Sequence, residues 1–168
     1  MAEKYAFFNS SSGDRTYNAA DFAGYFGKFI SNGIFSAVST NLQLAASNGL
    51  SVQAMPGSAW INGYCYENTS ELELALETAN GVNPRIDRVV LRWSAVDRNI
   101  KLAIKTGAAS SAPVAPALIR NSDVYELGLA DIAVGRGVLS INAGNITDTR
   151  LNTALCGTVN SLIGAVYE

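Results

Sequence analysis

Hydrophobic positions along this chain recur with two different periods. Between Asn18 and Gly33, Phe22, Tyr25, Phe26, Phe29 and Ile30 return at spacings of three and four, which predicts an amphipathic helix over 19–31. Asn18 suits the N-cap, Asp21 stands three residues on in the place of a capping-box acid, and Asn32-Gly33 offers a left-handed stop. Gly24 and Gly27 inside that span each cost about 1 kcal/mol relative to alanine, which is tolerated where another backbone packs close. After residue 33 the period falls to two. "LQLAASNGLSVQAM" reads as two short strands joined at Asn48-Gly49, and "SAWINGYCYE" repeats the device at Asn62-Gly63, a strong hairpin signal. "SELELALE" sets Leu72, Leu74 and Leu76 against Glu71, Glu73 and Glu77, a strand with one dry face and one wet, with a helix as the alternative that its composition favours.

The clearest alternation lies in residues 83–107. Val89, Leu91 and Trp93 point one way, and Arg88, Val90 and Arg92 the other. After a turn through "AVDRN", Ile100, Leu102 and Ile104 oppose Lys101 and Lys105. The pattern predicts an antiparallel hairpin with Leu91 and Trp93 inside and Arg88 and Arg92 outside. The preceding glutamate strand is the expected partner of the basic face, so these charges read as structural. "TGAASSAPVAPALIR" is an extended connector of polyproline type. Tyr125, Leu127 and Leu129, then Ile132 and Val134, predict a strand interrupted near Ala130-Asp131. A turn at Gly135-Arg136-Gly137 and a short strand over 138–141 follow. The weak three-to-four spacing of Leu151, Leu155, Val159 and Leu162 leaves room for a short C-terminal helix. The fold class is mainly β, built of hairpin-rich antiparallel sheets in a sandwich-like arrangement, with one N-terminal amphipathic helix.

Length and composition refine this picture. At 168 residues the chain suits a single domain. We divide it into an N-terminal arm (1–18), a β-rich domain with its leading helix (19–150) and a C-terminal segment leading out of the domain (151–168). Charged residues are only 15% of the chain, against about 25% in a typical domain. That shortfall points to surface covered by a partner or by further copies. The net charge of −2 carries no block of one sign, which argues against nucleic acid and against anionic membranes. No apolar run approaches the roughly 20 residues of a membrane span. "MAEKYAFFNSSSGDR" has no sustained apolar stretch either, so synthesis in a cytoplasm without a secretory signal is expected.

The chemistry available is narrow. There is no histidine, the side chain most used for acid–base catalysis and metal binding, so no enzyme activity, metal or cofactor is expected. Cys65 and Cys156 fit no zinc spacing and are expected to be small buried hydrophobes. Gly135-Arg136-Gly137 lacks the lysine-serine pair of a phosphate loop, and Asp148 with Arg150 reads as a turn closed by an ion pair. Two sets of aromatics remain. Trp60, Tyr64 and Tyr66 flank a tight hairpin and would contact a glycan if exposed, or fill the core if not. Tyr5, Phe7 and Phe8 in the arm, Phe22 and Phe26 on the helix, and Leu155 and Leu162 in the tail are candidates for an interface between copies.

Taken in order, "DRTYNAADFAGYF", "GSAWINGYCYE", "SELELAL", "NPRIDRVVLRW", "APVAPALIRNSDVYELGLADIAVGRGVLSI" and "NITDTRLNTALCG" resemble the N-terminal attachment domain of baseplate, tail-fibre and receptor-binding proteins of phages and prophages of Gram-positive bacteria. The likeness runs from about Asp14 to Gly157, and its specificity lies in the ordered set, since each motif alone is weak. It implies a structural component of a phage tail or baseplate, assembled in the host cytoplasm and carried in the virion. It further implies homo-oligomers, often trimers, in contact with other tail proteins. Relatives of that kind continue past "LCG" into a stem or adhesin, whereas this chain stops at Glu168. The alternative reading is a carbohydrate-binding module that touches a glycan of the host surface.

Overall fold

The computed structural model describes residues 3–35 and 40–164. Among these residues ten strands form three antiparallel sheets, preceded by one short helix, α1 (Ala19–Phe26). In the first sheet β1 (Gly33–Ile34), β4 (Gly57–Ile61) and β5 (Tyr64–Asn68) lie in the order β1-β4-β5. The second contains β2 (Leu44–Ala46), β3 (Ser51–Ala54) and β6 (Leu72–Ala75), in the order β2-β3-β6. The third, largest sheet runs β10-β9-β7-β8, with β7 (Arg85–Ser94), β8 (Asn99–Lys105), β9 (Val124–Val134) and β10 (Ile146–Asp148). All three sheets contribute to one aliphatic core, in which Ile34, Val52, Ile61, Leu91, Leu127 and Ile132 are fully enclosed.

The hairpin expected over 83–107 is β7–β8, and its register is the one the alternation implies. Val89 faces Ile104, Leu91 faces Leu102 and Trp93 faces Ile100 on the core side, while Arg88 faces Lys105 and Arg92 faces Lys101 on the other. The opposite side is not the wet face that the pattern suggests. Arg88 is buried, Val90 is completely so, and the proline-containing connector 108–120 lies across them as a strap. The strap is held by its own backbone: the Pro116 carbonyl accepts from Arg88 at 2.8 Å, and the Ala117 carbonyl accepts from Lys105 at 2.7 Å.

Its anchor is Glu126, whose side chain is wholly buried beneath the strap. One carboxylate oxygen accepts from Arg92 at 3.2 Å, and the other accepts from Lys105 Nζ and from the Ile119 backbone N–H, each at 2.7 Å. Beside it Arg88 grips Asp131 through two nitrogens, at 2.6 and 2.8 Å. That contact raises the Arg88 guanidinium above its ordinary range, mainly through the hydrogen bond itself. On the core side, buried Arg85 pairs with buried Asp87 and donates to the carbonyls of Glu77 and Thr78, while Asp87 accepts the Gly107 N–H. Buried charges persist only when their hydrogen-bonding capacity is met, and here opposite charges and backbone groups share that task.

Several expectations need correction. The acids that pair with the basic face come from β9, not from the glutamate strand. β6 pairs with β3, where Glu71 contacts Gln53 and Glu73 accepts from Ser51, and Leu72 is left exposed. The interruption near Ala130 is a bulge: Val89 sits opposite Ala130 and Val90 opposite Gly128, so Leu129 is the extra residue. Its carbonyl is taken by the Thr149 N–H at 3.0 Å. No strand forms over 138–141; the chain instead passes through a 3-10 turn at Ala143–Asn145 into β10.

The helix stops at Phe26 instead of Ser31, with Gly27 as its cap. The reason is the β4–β5 turn, whose Asn62 and Gly63 both have positive φ (51° and 85°). A side chain at Gly63 would collide with the carbonyl of Ala23, so two backbones meet there without intervening atoms. The C-terminal segment is also not helical among the described residues, and 165–168 lie outside them. Gly157 adopts φ +82°, and the backbone of 157–162 bonds instead to 29–34: Ser31 N–H to Asn160 O, Val159 N–H to Ile34 O, and Leu162 N–H to Phe29 O. This stretch edges the first sheet.

Replacing Glu126 by alanine would strand Arg92, Lys105 and the Ile119 N–H at once. We predict a loss of about 3–5 kcal/mol in urea denaturation, the range for breaking a buried charge pair; a loss below 1 kcal/mol would show that the strap does not depend on it. Gly63→Ala should cost more than the roughly 1–2 kcal/mol of a left-handed backbone alone, because of the Ala23 collision. Equal melting temperatures for variant and parent would contradict that packing.

Candidate interaction surface

The aromatic residues of the N-terminal quarter gather on one exterior face. α1 is fixed by a reciprocal capping box: the Asn18 side chain accepts from the backbone of Ala20 and Asp21, and Asp21 accepts from the Asn18 N–H at 3.0 Å. Asp21 also meets Lys4 of the arm at 3.2 Å. These bonds, the Asn18 N–H first and Lys4 next, hold the Asp21 carboxyl below its ordinary 3.8. The helix thereby orients Phe22, Tyr25 and Phe26, and anchors the arm beside them.

Phe7 is the pivot of the arm. Its ring stacks on Phe22 at 5.0 Å and meets Tyr25 edge-on at 5.1 Å and Tyr17 at 5.3 Å. Its backbone is at φ 68°, rare for a bulky residue and sustained only where surrounding contacts over-determine it. Tyr17 contributes by bridging to the arm, its hydroxyl bonding both the N–H and the carbonyl of Phe8. Arg15 lies over the rings of Tyr5 and Phe8 at 5.6 Å from each. The cluster continues from Tyr25 to Phe29 and Phe26, and from Phe26 through Trp60 to Phe35.

Despite these contacts the rings remain open to solvent: Tyr5 and Phe8 are about three-fifths exposed, and Phe22, Tyr25, Phe26 and Phe35 each more than two-fifths. Leu162 and Ile163 join them beside Phe29, also exposed. Arm, helix and C-terminal segment thus converge on one face. Six of the seven residues singled out from sequence border it; Leu155 does not, being half-buried against Gly128 of β9. Tyr25, Phe35 and Ile163 are exposed there too, and the sequence did not single them out. At the base of the face Trp60 Nε1 is buried with no acceptor among the described residues.

The three aromatics proposed for glycan contact are not brought together. In the β4–β5 ladder Trp60 faces Cys65, whereas Tyr64 and Tyr66 face Ile61 and Ala59. Side chains alternate across a sheet, so Trp60 belongs to the outer face with Phe26 and Phe35, and the two tyrosines to the inner one. Tyr64 instead approaches Trp93, with ring centroids 6.0 Å apart. Burial pushes the Tyr66 phenol up. The cysteines also divide: Cys65 is exposed, contrary to expectation, and Cys156 is buried, its thiol pushed up to about 12 by that burial. Asp148 and Arg150 do form the expected pair, bonded through two nitrogens, and Arg150 holds the Asp148 carboxyl below its usual range.

A carboxyl with a lowered pKa contributes stability above its ordinary value and loses it as the pH falls through the lowered one. The capping box and the arm contact should hold down to about pH 4 and loosen below it, read as a fall in the near-ultraviolet circular dichroism of the aromatic cluster. Asp21→Asn should abolish that acid step. An identical acid profile in the variant would assign the step to another group.

No family model matches the chain, and no curated protein or solved structure is significantly similar to it.

Proposed function

We propose that this protein is a structural component of a phage tail or baseplate, a module held in a homo-oligomeric assembly through its N-terminal aromatic face. The observation that carries the reading is the placement of the phenylalanines. All six stand in the first 35 residues, and none belongs to the aliphatic core. A fold that can build its interior without them has no internal use for such a surface, and large clustered apolar patches mark contact sites. The ordered motifs that resemble tail-attachment domains supply the class of assembly, and the trimer comes from that resemblance.

The charges support the same reading. Arg85, Arg88, Arg92, Lys105 and Arg150 are all engaged in internal pairs that hold loops to the sheets, so they serve the scaffold. In light scattering at micromolar concentration the chain should run as an oligomer, with a trimer as the expected mass. Phe7→Ser combined with Phe22→Ser should run as a folded monomer. A parent protein that is monomeric, or a variant that stays oligomeric, overturns the role of this face. Mass spectrometry of purified tailed particles from the host strain should find the protein among their components; its absence would overturn the assignment to a tail.

A further inference from the structure

A second surface lies between the edge of β5 and the edge of β8, with Ala19 of α1 at its border. It is an open groove of about 600 Å³ lined by Tyr64, Tyr66, Trp93, Ile100 and Arg98, together with the backbone stretch 65–67. We infer that this groove takes an extended segment of another polypeptide by strand addition to β5. The segment would carry apolar residues at every second position and an acidic residue within reach of Arg98.

Both residues of the β4–β5 turn have positive φ, which makes the loop a two-residue type I′ turn and Ile61–Tyr64 its hydrogen-bonded closing pair. Hydrogen-bonded and open pairs alternate along an antiparallel ladder. Tyr64, Tyr66 and Asn68 therefore bond inward to β4, and the N–H and C=O groups of Cys65 and Glu67 point outward. Among the described residues nothing bonds them: β5 has no second neighbour, and no backbone hydrogen bond reaches 65 or 67 from elsewhere.

Exposed edges are normally blunted by brevity, charge or cover. The other edges here are: β1 has two residues and is flanked by 157–162, β2 and β10 have three each, β8 carries Lys101 and Lys105, and β6 is bordered by Glu71 and Glu73. β5 has five residues, a single charge at Glu67 and two aromatic rings directed into the groove. Strand addition takes its affinity from main-chain bonds and its specificity from pockets for alternate side chains, and this site has both. Arg98 accounts for the acid. It makes no ion pair or hydrogen bond among the described residues, and it holds φ +52° at the hairpin tip, where a glycine or asparagine would sit without strain. None of the aromatic residues on which the assembly reading rests lines this groove.

The test is selection of a random decapeptide display library on the immobilised full chain, followed by titration of the selected peptide, made synthetically. We expect a consensus with apolar residues at alternate positions and one acid. In amide exchange the Cys65 and Glu67 protons should slow by about tenfold or more on binding. Glu67→Pro removes an outward donor while sparing the ladder to β4, and should weaken binding about tenfold. Arg98→Asn keeps the left-handed backbone and should also weaken it, and serves alone if the proline variant does not fold. Phe7→Ser should leave it unchanged. No enriched peptide, a consensus without alternation, or affinity undiminished in both edge variants would overturn the proposal.

Discussion

Glu126 is the residue on which the architecture turns. A carboxylate with no solvent exposure is costly unless both oxygens are hydrogen-bonded, and three donors from three different segments serve them: Arg92 of β7, Lys105 of β8 and the N–H of Ile119 in the strap. The same residue's backbone N–H and carbonyl bond to Ile119 and Arg120. One side chain therefore fixes the register of the largest sheet and the path of the connector above it. Arg120 extends the linkage, reaching the carbonyls of Ala154 and Leu155 and so tying the strap to the C-terminal segment.

This constraint explains why one face was legible from sequence and the other was not. The alternation of Val89, Leu91 and Trp93 against Arg88 and Arg92 reports correctly which side chains share a side. It carries no information on whether a distant segment will cover that side. Arg88 reads as solvent-facing because arginine usually is, and only the geometry of Asp131, 43 positions on, makes its burial tolerable. The β4–β5 turn, by contrast, was local chemistry: Asn-Gly requires positive φ, and both residues have it. The tail failed in the opposite sense. Its helical spacing was weak, and its backbone found a partner in residues 29–34, more than a hundred positions away, which no local pattern announces.

The site was partly visible for a related reason. Aromatic residues at helical spacing are ordinarily core, and Phe22 and Phe26 would be so in a helix packed on a sheet through its whole stripe. Here α1 meets the first sheet through Ala23 and the glycines Gly27 and Gly63, the small residues of the sequence. The contact is close because nothing projects from it, and the rings are turned outward as a result. Gly63 thus has consequences beyond its turn: it decides which side of the helix faces the solvent.

The pairing of 29–34 with 157–162 also bears on how the molecule carries load. Phe29 lies opposite Leu162, and the bonded positions run inward from there to Ile34 and Gly157. The chain enters and leaves this clamp at the same end. Tension between the N-terminal arm and the chain beyond Leu162 would meet the antiparallel bonds of 29–31 with 160–162 one after another, as in a zipper, before it loads the parallel bridge of Ile34 with Thr158 in shear. The four-stranded sheet lies outside that force path. Under pull the two ends would peel apart first, leaving the sheet, its strap and the buried carboxylate intact.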